Sequence, residues 1–312
     1  MPRYIIRRLL QMVLVFFGAT LLLFGALFIL PGDPTEALGS DRSLNPEVAQ
    51  RIRERYNLDK PVTTQYVLYL KSLAQGDLGT SIQLNRPVGR ILAETIPWSV
   101  RLAAAAIVVE LILGLVSGVI SAVKRYSFWD TLVTVSTGIL IGIPVFWLGL
   151  MLQMLFGVQL QDTAFSLPIS GVSEGLRSYI LPAMVLASVS TAVTARLTRT
   201  TMLEVMKQDY IRTAAAKGLS KRAVTYKHGL RNAMIPVVTN LGLDFGAFIG
   251  GAILTETVFS WPGVGRQLYL GIVSHDNPII IGATVIFVTA FMVVNLVVDI
   301  SYGFLDPRIR YE

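Results

Sequence analysis

The chain has 312 residues, of which 53% are hydrophobic and 15% are charged, and its mean hydropathy is +0.60. A soluble domain usually has about 25% charged residues, so the composition excludes an ordinary soluble protein and predicts an integral membrane protein. The chain has no cysteine, which excludes disulfides and thiolate metal sites. The net charge is +7, but the excess cations are concentrated at the N-terminus, after Val123 and in 209–231. This distribution indicates membrane topology, not a nucleic-acid surface.

The first membrane span is predicted at Leu9–Leu30, which is almost entirely apolar. At about 1.5 Å per residue it is long enough to cross a hydrocarbon core of about 30 Å. It is too long for a signal-peptide core, and no small-x-small cleavage site follows it. Because Arg3, Arg7 and Arg8 precede it, we expect residues 1–30 to form a cytoplasmic tail and a retained span.

Residues 31–97 are predicted to form a helical insert on the outer face of the membrane. Its cations and acids balance, and long translocated segments escape the positive-inside rule. Asn45-Pro46 is typical of a helix start, and Pro61 indicates a second helix that ends near Gly76.

Five further apolar blocks have the length of a membrane span. They are Trp98–Val123, Thr131–Val158, Tyr179–Thr198, Ala233–Val258 and Pro278–Phe304. The fold class predicted is therefore an all-α polytopic membrane protein with six transmembrane helices. We expect 98–304 to be a five-helix core and 305–312 a cytoplasmic tail, so that both termini are cytoplasmic. The glycines of the fifth span, among them Gly242 and Gly246, are typical of close helix packing.

The polar stretch after the fourth span predicts two short helices outside the bilayer. Asp209–Lys217 is rich in Ala, Arg and Lys, which favour helix. Gly218 would end that helix in a left-handed conformation, and Ser220 would cap the next helix. The stretch contains six cations and only one acid, Asp209, and this excess of positive charge predicts that it lies on the cytoplasmic side. These cations are Arg212, Lys217, Lys221, Arg222, Lys227 and Arg231.

The same stretch resembles a cytoplasmic loop of ABC importer membrane subunits, which reads Glu-Ala-Ala, three residues, Gly, nine residues, Ile-x-Leu-Pro. Arg212-Thr213-Ala214 stands at the triplet, Gly218 follows three residues later, and His228-Gly229-Leu230-Arg231 follows after nine more. The Glu, the first Ala, the Ile and the Pro of the general motif are absent. The variant found here resembles the dipeptide/oligopeptide permease branch.

Other segments resemble the same branch. They are Gly76-Asp77-Leu78-Gly79-Thr80-Ser81 in the insert, Gly250–Gly265 from the end of the fifth span onward, and the tail Asp306-Pro307-Arg308. With the cytoplasmic stretch, the resemblance covers nearly the whole chain.

The resemblance implies a type I ABC importer permease of the bacterial cytoplasmic (inner) membrane, in contact with membrane lipids. It implies a heterodimer with a second, homologous permease subunit, two cytoplasmic ATPase subunits, and an extracytoplasmic binding protein that delivers peptides. No cofactor belongs to this chain, since ATP and Mg²⁺ would bind the ATPase subunits. A coupling helix within 207–231 would dock into a groove of the ATPase. Its expected contact residues are Asp209, Tyr210, Arg212, Thr213, Ala214, Ala215, Lys217, Gly218, Leu219, His228 and Leu230.

Ionisable residues within the predicted spans are candidates for the translocation path, because a charge in lipid costs about 2.5–3.5 kcal/mol on insertion scales. We expect Asp244 and Glu256 on this path, with Trp147 and Phe248 as candidates for gating; a packing or interface role for these two aromatic residues stays open. A packing role for Asp244 stays open. For Glu110 and for Asp299 near the end of the last span, a hydrogen bond between helices or a protonated carboxyl is the preferred interpretation.

Other functions remain as alternatives. A related importer could carry another solute, such as glutathione or a nickel chelate, and a secondary transporter could use Asp244 for proton or ion coupling. Ser173 lies in a Gly-x-Ser-x-Gly pattern and could form a hydrolase triad with His275 and Asp276, but that pattern requires a strand, a tight turn and a helix. It lies here in a short loop between spans, so catalysis is disfavoured. No P-loop motif is present, which excludes ATP hydrolysis in this chain by that route.

Overall fold

The structure, a computed structural model, describes residues 2–29, 50 and 59–305. This portion is helical, and its only extended pairing is a bridge between Thr80 and Pro87. Its α-helices are α1 (Pro2–Ile29), α2 (Val62–Ala74), α3 (Val88–Val123), α4 (Phe128–Gly142), α5 (Val145–Gln153), α6 (Arg177–Val205), α7 (Asp209–Ala216), α8 (Lys221–Ala223), α9 (Arg231–Gly251), α10 (Ile253–Val258), α11 (Val264–Val273) and α12 (Asn277–Leu305). Two π-helical turns occupy Met154–Gln159 and Val224–Leu230.

Five helical runs in the described portion have the length and hydropathy of a membrane span. They are Ile6–Ala26, Val88–Val123, Arg177–Val205, Lys221–Gly251 and Asn277–Ser301. Each overlaps a predicted span, which confirms the all-helical membrane fold. The predicted helix start at Asn45-Pro46 and the tail from Asp306 lie outside the described residues.

The third predicted span, Thr131–Val158, is not one continuous helix. It is divided into α4 and a run formed by α5 and its π-helical turn, bent by 104° with respect to each other. Ile143 is extended, with φ −87° and ψ 126°, because a residue before proline avoids the helical region and Pro144 follows it. The two helices therefore form either a broken span or a re-entrant loop, and with them the spans number five or six.

The fifth predicted span, Ala233–Val258, is shifted along the chain. The helical run begins earlier, at Lys221, and α9 ends at Gly251. Ala252 separates it from the short helix α10. Glu256 therefore lies on α10 and not at the end of a long span.

The chain divides into two compact units: Met1–Ser99 with Pro262–Met292, and Val100–Trp261 with Val293–Glu312. The division predicted from the sequence, at 30/31, 97/98 and 304/305, follows membrane sides instead and stays a prediction. In the first unit, α2 packs on α1 through Phe24, whose ring centroid lies 5.2 Å from that of Tyr66 and 5.1 Å from that of Tyr69. Pro61 precedes α2 and the helix ends shortly before Gly76, as the sequence predicts, and Gly76 has a left-handed conformation.

Asp276 joins the insert to the segment before α12 within the first unit. Its carboxylate accepts a hydrogen bond from Ser81 Oγ at 2.5 Å and from the backbone N–H groups of Ile82 and Gln83 at 3.3 and 3.1 Å. Ser81 and Asp276 are both buried. A buried carboxylate is stable only with such donors, so these contacts fix the loop that follows Gly79.

In the second unit, α6 is the central helix and contacts α4, α5, α9 and α10. Its buried side is rich in alanine, serine and threonine, and small residues allow membrane helices to approach closely. Gly114 and Gly118 of α3 lie against the same helix. A Cβ atom added at Gly118 would lie 2.6 Å from the carbonyl oxygen of Ala195 and 2.6 Å from Cβ of Thr198, so the contact requires glycine.

Candidate functional site: a coupling segment and an intramembrane polar cluster

The coupling segment, 207–231, begins with the predicted helix, which the structure confirms as α7. Ile211 and Ala214, three residues apart, lie on one side of this helix and are buried against Val224. Val205 and Met206, at the end of the preceding span, pack around them. This small apolar cluster holds α7 against the following helical turn.

Gly218 has φ +78° and Ser220 precedes α8 as its N-cap. The backbone N–H of Ala223 donates to Ser220 Oγ at 3.3 Å. Both features are as the sequence predicts. A Cβ atom added at Gly218 would meet nothing within 4 Å, so glycine is favoured there for its backbone conformation alone.

The outward side of the coupling segment carries most of the predicted ATPase-contacting residues. Its exposed members are Asp209, Tyr210, Arg212, Thr213, Ala215, Lys217, Gly218 and Leu219. Three predicted contact residues are not exposed: Ala214 is buried within the chain, His228 is half-buried, and Leu230 is half-buried against the cluster of Ala122, Met202 and Ala233. Asp209 and Arg212 are 3.6 Å apart but almost fully solvated, with 96% and 77% of their side chains exposed. Such a surface pair adds little to stability and leaves both groups available to a partner.

The coupling segment is attached to α9 by Asn232. Its Nδ2 donates to Tyr210 Oη at 3.0 Å and to the carbonyl oxygen of His228 at 3.0 Å. Gly229 is buried, and a Cβ atom there would lie 2.9 Å from Sδ of Met206. Sequence reasoning selected Tyr210 and His228 but missed Asn232 and Gly229, since these contacts depend on tertiary structure. The spacing of Ile211 and Ala214 could have indicated the buried side of α7.

The intramembrane polar cluster lies in the second unit and contains Asp244. Thr194 Oγ1 of α6 donates to Glu110 Oε1 of α3 at 2.6 Å. Asn240 Nδ2 of α9 donates to Thr194 Oγ1 at 3.3 Å and to Asp244 Oδ2 at 2.6 Å. The hydrogen bond between helices expected for Glu110 is thus confirmed, and Asp244 belongs to the same chain of contacts.

The other predicted path residues have different environments. Phe248 is 5% exposed and Glu256 is fully buried, whereas Trp147 is 46% exposed. Their roles in translocation stay predictions. Among the residues that the structure describes, no group of three His, Cys, Asp or Glu side chains could hold a metal ion.

The hydrolase pattern is in the wrong structural context. Ser173 lies in an exposed turn between Gly171 and Gly175, and within the described ranges no strand precedes it. Asp276 is engaged by Ser81 and two backbone amides. A nucleophile elbow requires a strand before the serine, so this alternative has no structural support.

Two family models together match most of the chain. The description "Binding-protein-dependent transport system inner membrane component" applies to residues 114–311, and the corresponding N-terminal component applies to residues 1–103. The dipeptide transport system permease protein DppB of Alkalihalophilus pseudofirmus is 37% identical over the full length of both chains. The di/tripeptide transport system permease protein DppB of Pseudomonas aeruginosa is 40% identical, and the glutathione transport system permease protein GsiC of Escherichia coli is 38% identical, again over all of both chains.

A crystal structure of an amino acid ABC transporter with histidines shares the fold. It matches with a TM-score of 0.53 and 13% identity, over 69% of this chain and 94% of the other. The membrane-spanning helices, the two family matches and the full-length relatives agree with one another. The chain belongs to the binding-protein-dependent transport system inner membrane component family and is a membrane permease subunit of an ABC transporter.

Proposed function

We propose that this permease forms half of the translocation path of a peptide importer. It pairs with a second, related permease in the bacterial cytoplasmic membrane, with both termini in the cytoplasm. A binding protein on the outer side delivers the peptide, and two ATPase subunits bind the coupling segments. The single observation that carries the proposal is the full-length identity of 37–40% with dipeptide and di/tripeptide permeases.

The coupling segment supports the ATP-driven mechanism. α7 is held on its own chain by Ile211 and Ala214, while Tyr210, Arg212 and Ala215 point outward. Asn232 connects α7 to the start of α9. A displacement of α7 by an ATPase is therefore transmitted to α9 through packed contacts and not through a flexible linker.

A glutathione importer is the second candidate. It is favoured by the 38% identity with a glutathione permease over the whole length of both chains. Glutathione is itself a tripeptide with an unusual linkage, so the two candidates differ in substrate selectivity and not in mechanism.

The substrate is tested by reconstitution of the permease with its neighbouring subunits in lipid vesicles. The panel contains dipeptides, tripeptides, longer peptides, glutathione, a nickel chelate and free amino acids, and substrate-stimulated ATP hydrolysis is measured. We expect dipeptides and tripeptides to stimulate hydrolysis most strongly. Stimulation by glutathione alone would select the second candidate, and stimulation by the nickel chelate alone would overturn both.

Docking is tested with Ala215→Trp, which places a large side chain on the exposed side of α7. It should leave the fold intact and weaken ATPase binding at least tenfold, since a tightly packed interface does not accept an added ring. Ala215→Ser is the matched control and should bind normally. If Ala215→Trp recruits the ATPase as well as the wild type does, α7 is not the docking helix.

A further inference from the structure

Two carboxyl side chains meet inside the membrane part of the second unit. Glu110 lies within the span Val88–Val123 and Asp244 within the span Lys221–Gly251. Glu110 is fully buried. Glu110 is linked to Asp244 through Thr194 and Asn240, and the two carboxyl groups are also within hydrogen-bonding reach of each other.

The hydrogen-bond donors around this pair are fewer than its acceptor atoms. Glu110 Oε1 accepts from Thr194, whereas Oε2 is buried and receives no hydrogen bond from any N–H or O–H group of the described residues. Asp244 accepts from Asn240 and from the Ser190 hydroxyl. Glu110 therefore has one carboxylate oxygen, Oε2, without a hydrogen-bond donor among the described residues, and the neighbouring acid is Asp244.

No cation in the described chain compensates the two acids. The groups that act on them are Ser190 and Thr194 of α6, Asn240 of α9, and the acids themselves on α3 and α9. The arginines of α6 have other partners, since Arg177 pairs with Glu174, Arg199 pairs with Asp130 and Arg196 Nε donates to Thr137. Asp299 of α12 is not among the groups that act on the pair.

The chemistry of the pair requires one further proton. Ionised carboxylates only accept hydrogen bonds, so two of them in contact repel each other. Burying two such charges without a cation would also be costly. If one carboxyl is protonated, its O–H donates to the other, and the pair holds a single negative charge.

We propose that Glu110 and Asp244 form a proton-binding site, in which one proton lies between Glu110 Oε2 and the Asp244 carboxylate. The proton comes from a hydronium ion of the solvent, whose O–H bond breaks as the carboxyl O–H bond forms and which leaves as water. It joins α3 to α9 directly, while Thr194 and Asn240 join them through α6. The site is a bound-proton clamp between helices and needs no proton flux, so it does not depend on the identity of the transported substrate.

The proposal predicts a pH dependence of stability with a definite sign. In the unfolded chain both acids are hydrated and ionised near neutral pH. The folded state then binds one proton more than the unfolded state, so stability falls as the pH rises. Once the proton is lost, two negative charges face each other between α3 and α9.

The first test measures the thermal unfolding midpoint of the complete transporter from about pH 6 to about pH 9. The wild-type midpoint should fall by about 2–4 °C for each pH unit once the proton begins to dissociate. In Glu110→Gln the amide donates to Asp244 without a titrating proton, so this fall should disappear. Glu204→Gln, the same change at an exposed position of α6, should keep the wild-type slope. A wild-type slope in Glu110→Gln would overturn the proposal.

The second test observes the proton by infrared spectroscopy of the wild-type complex, which does not require any variant to fold. A carbonyl stretching band of a protonated carboxyl should be present at neutral pH and disappear at alkaline pH. It should be absent from Glu110→Gln and from Asp244→Asn, and present in Glu204→Gln. Absence of the band from the wild type would overturn the proposal. The proposal would also be overturned if sodium, but not choline, restored the thermal stability at alkaline pH, because the site would then bind an alkali cation.

Discussion

Asp130 shows how a single ion pair is built at the start of a membrane helix. Its carboxylate accepts hydrogen bonds from Arg199 at 2.9 and 3.0 Å, from Ser121 Oγ at 2.5 Å, and from the backbone N–H of Tyr126 at 2.9 Å. The Asp130 side chain is only 7% exposed, whereas that of Arg199 is 30% exposed. A buried carboxylate is stable only when it is paired and hydrogen-bonded, and Ser121 and the loop before α4 supply two of the four hydrogen bonds that Asp130 accepts.

Removal of this carboxylate should be costly. Asp130→Ala leaves Arg199 without its partner and only partly hydrated. We expect the free energy of unfolding to fall by about 2–3 kcal/mol, which is less than the usual cost of breaking a fully buried pair because Arg199 keeps some water. The thermal midpoint of the purified subunit should fall by about 5 °C or more. Asp209→Ala, which breaks the exposed pair with Arg212, is the control and should leave the midpoint unchanged within error. Equal effects of the two changes would mean that burial does not set the strength of the pair.

Gly218 contributes through its backbone and not through its surroundings. Its φ of +78° is unfavourable for any residue with a Cβ atom, and most unfavourable for a β-branched one. Because no atom lies within 4 Å of the position that an added Cβ would take, a substitution here tests conformation without a steric clash.

Replacing Gly218 with Val should disturb the angle between α7 and α8. The left-handed conformation costs about 1–2 kcal/mol for a residue with a Cβ atom, so the turn should relax to another geometry. The variant should insert normally but lose at least nine-tenths of substrate-stimulated ATP hydrolysis. Gly218→Asn is the control, since Asn tolerates this conformation, and it should retain most of the activity. Full stimulation in Gly218→Val would show that the orientation of α7 does not matter for coupling.

The packing of α3 on α6 depends on two glycines one helical turn apart. Gly114 faces Thr194, where an added Cβ would lie 2.9 Å from Cγ2, and Gly118 faces Ala195 and Thr198. Close approach of this kind is how membrane helices gain van der Waals contacts where the hydrophobic effect is weak. It also places Glu110 within hydrogen-bonding distance of Thr194, one turn before Gly114.

The change Gly118→Ala should separate the two helices. Its Cβ would lie 2.6 Å from a backbone oxygen of Ala195, which cannot rotate away as a side chain does. We expect the thermal midpoint to fall by about 3 °C or more, in line with the usual cost of overpacking. Gly18→Ala in α1, where an added Cβ meets nothing within 4 Å, is the matched control. If both changes leave the midpoint where it was, α3 and α6 are not in this close contact.

Hydropathy predicts where the chain crosses the membrane but not whether each crossing is continuous. The break between α4 and α5 has a local signal in Ile143-Pro144, because the residue before a proline avoids the helix. Proline alone does not decide it, since Pro97, Pro182 and Pro236 lie inside helices, where neighbouring helices and side chains can satisfy the freed backbone groups.

The candidate site also combines residues with a local sequence signal and residues whose contacts depend on helix packing. Gly218 and Ser220 were predictable because their roles are local to the backbone. The contact of Glu110 with Asp244, which are far apart in the chain, depends on how α3, α6 and α9 pack and has no local signal. The same is true of Asn232, whose sequence neighbours do not indicate that it links Tyr210 to His228.

At the scale of the whole molecule, the topology follows from the distribution of cations and from the number of spans. An even number of crossings puts both termini on one side of the membrane. The location of the termini therefore depends on whether the bent pair α4–α5 crosses the membrane. If it is a re-entrant loop, the described residues contain five spans, and the start of α1 and the end of α12 lie on opposite sides. The coupling segment must be cytoplasmic if an ATPase binds it, and we expect the insert before α3 on the opposite side of the membrane.

The absence of native cysteine allows a direct labelling test of this arrangement. In sealed, right-side-out cells, Leu84→Cys should react with a membrane-impermeant thiol reagent, because residue 84 is 49% exposed in the insert. Lys221→Cys, exposed at the start of α8, should react only after the membrane is permeabilised. Ser81→Cys is the burial control: Ser81 is fully buried against Asp276, so it should stay unlabelled in both conditions. Labelling of Lys221→Cys in intact cells would place the coupling segment outside and contradict ATP-driven coupling through α7.

The same reagent tests whether α4–α5 crosses the membrane. Labelling of Arg3→Cys and Lys221→Cys from opposite sides would identify α4–α5 as a re-entrant loop, since an odd number of crossings would then separate the two positions.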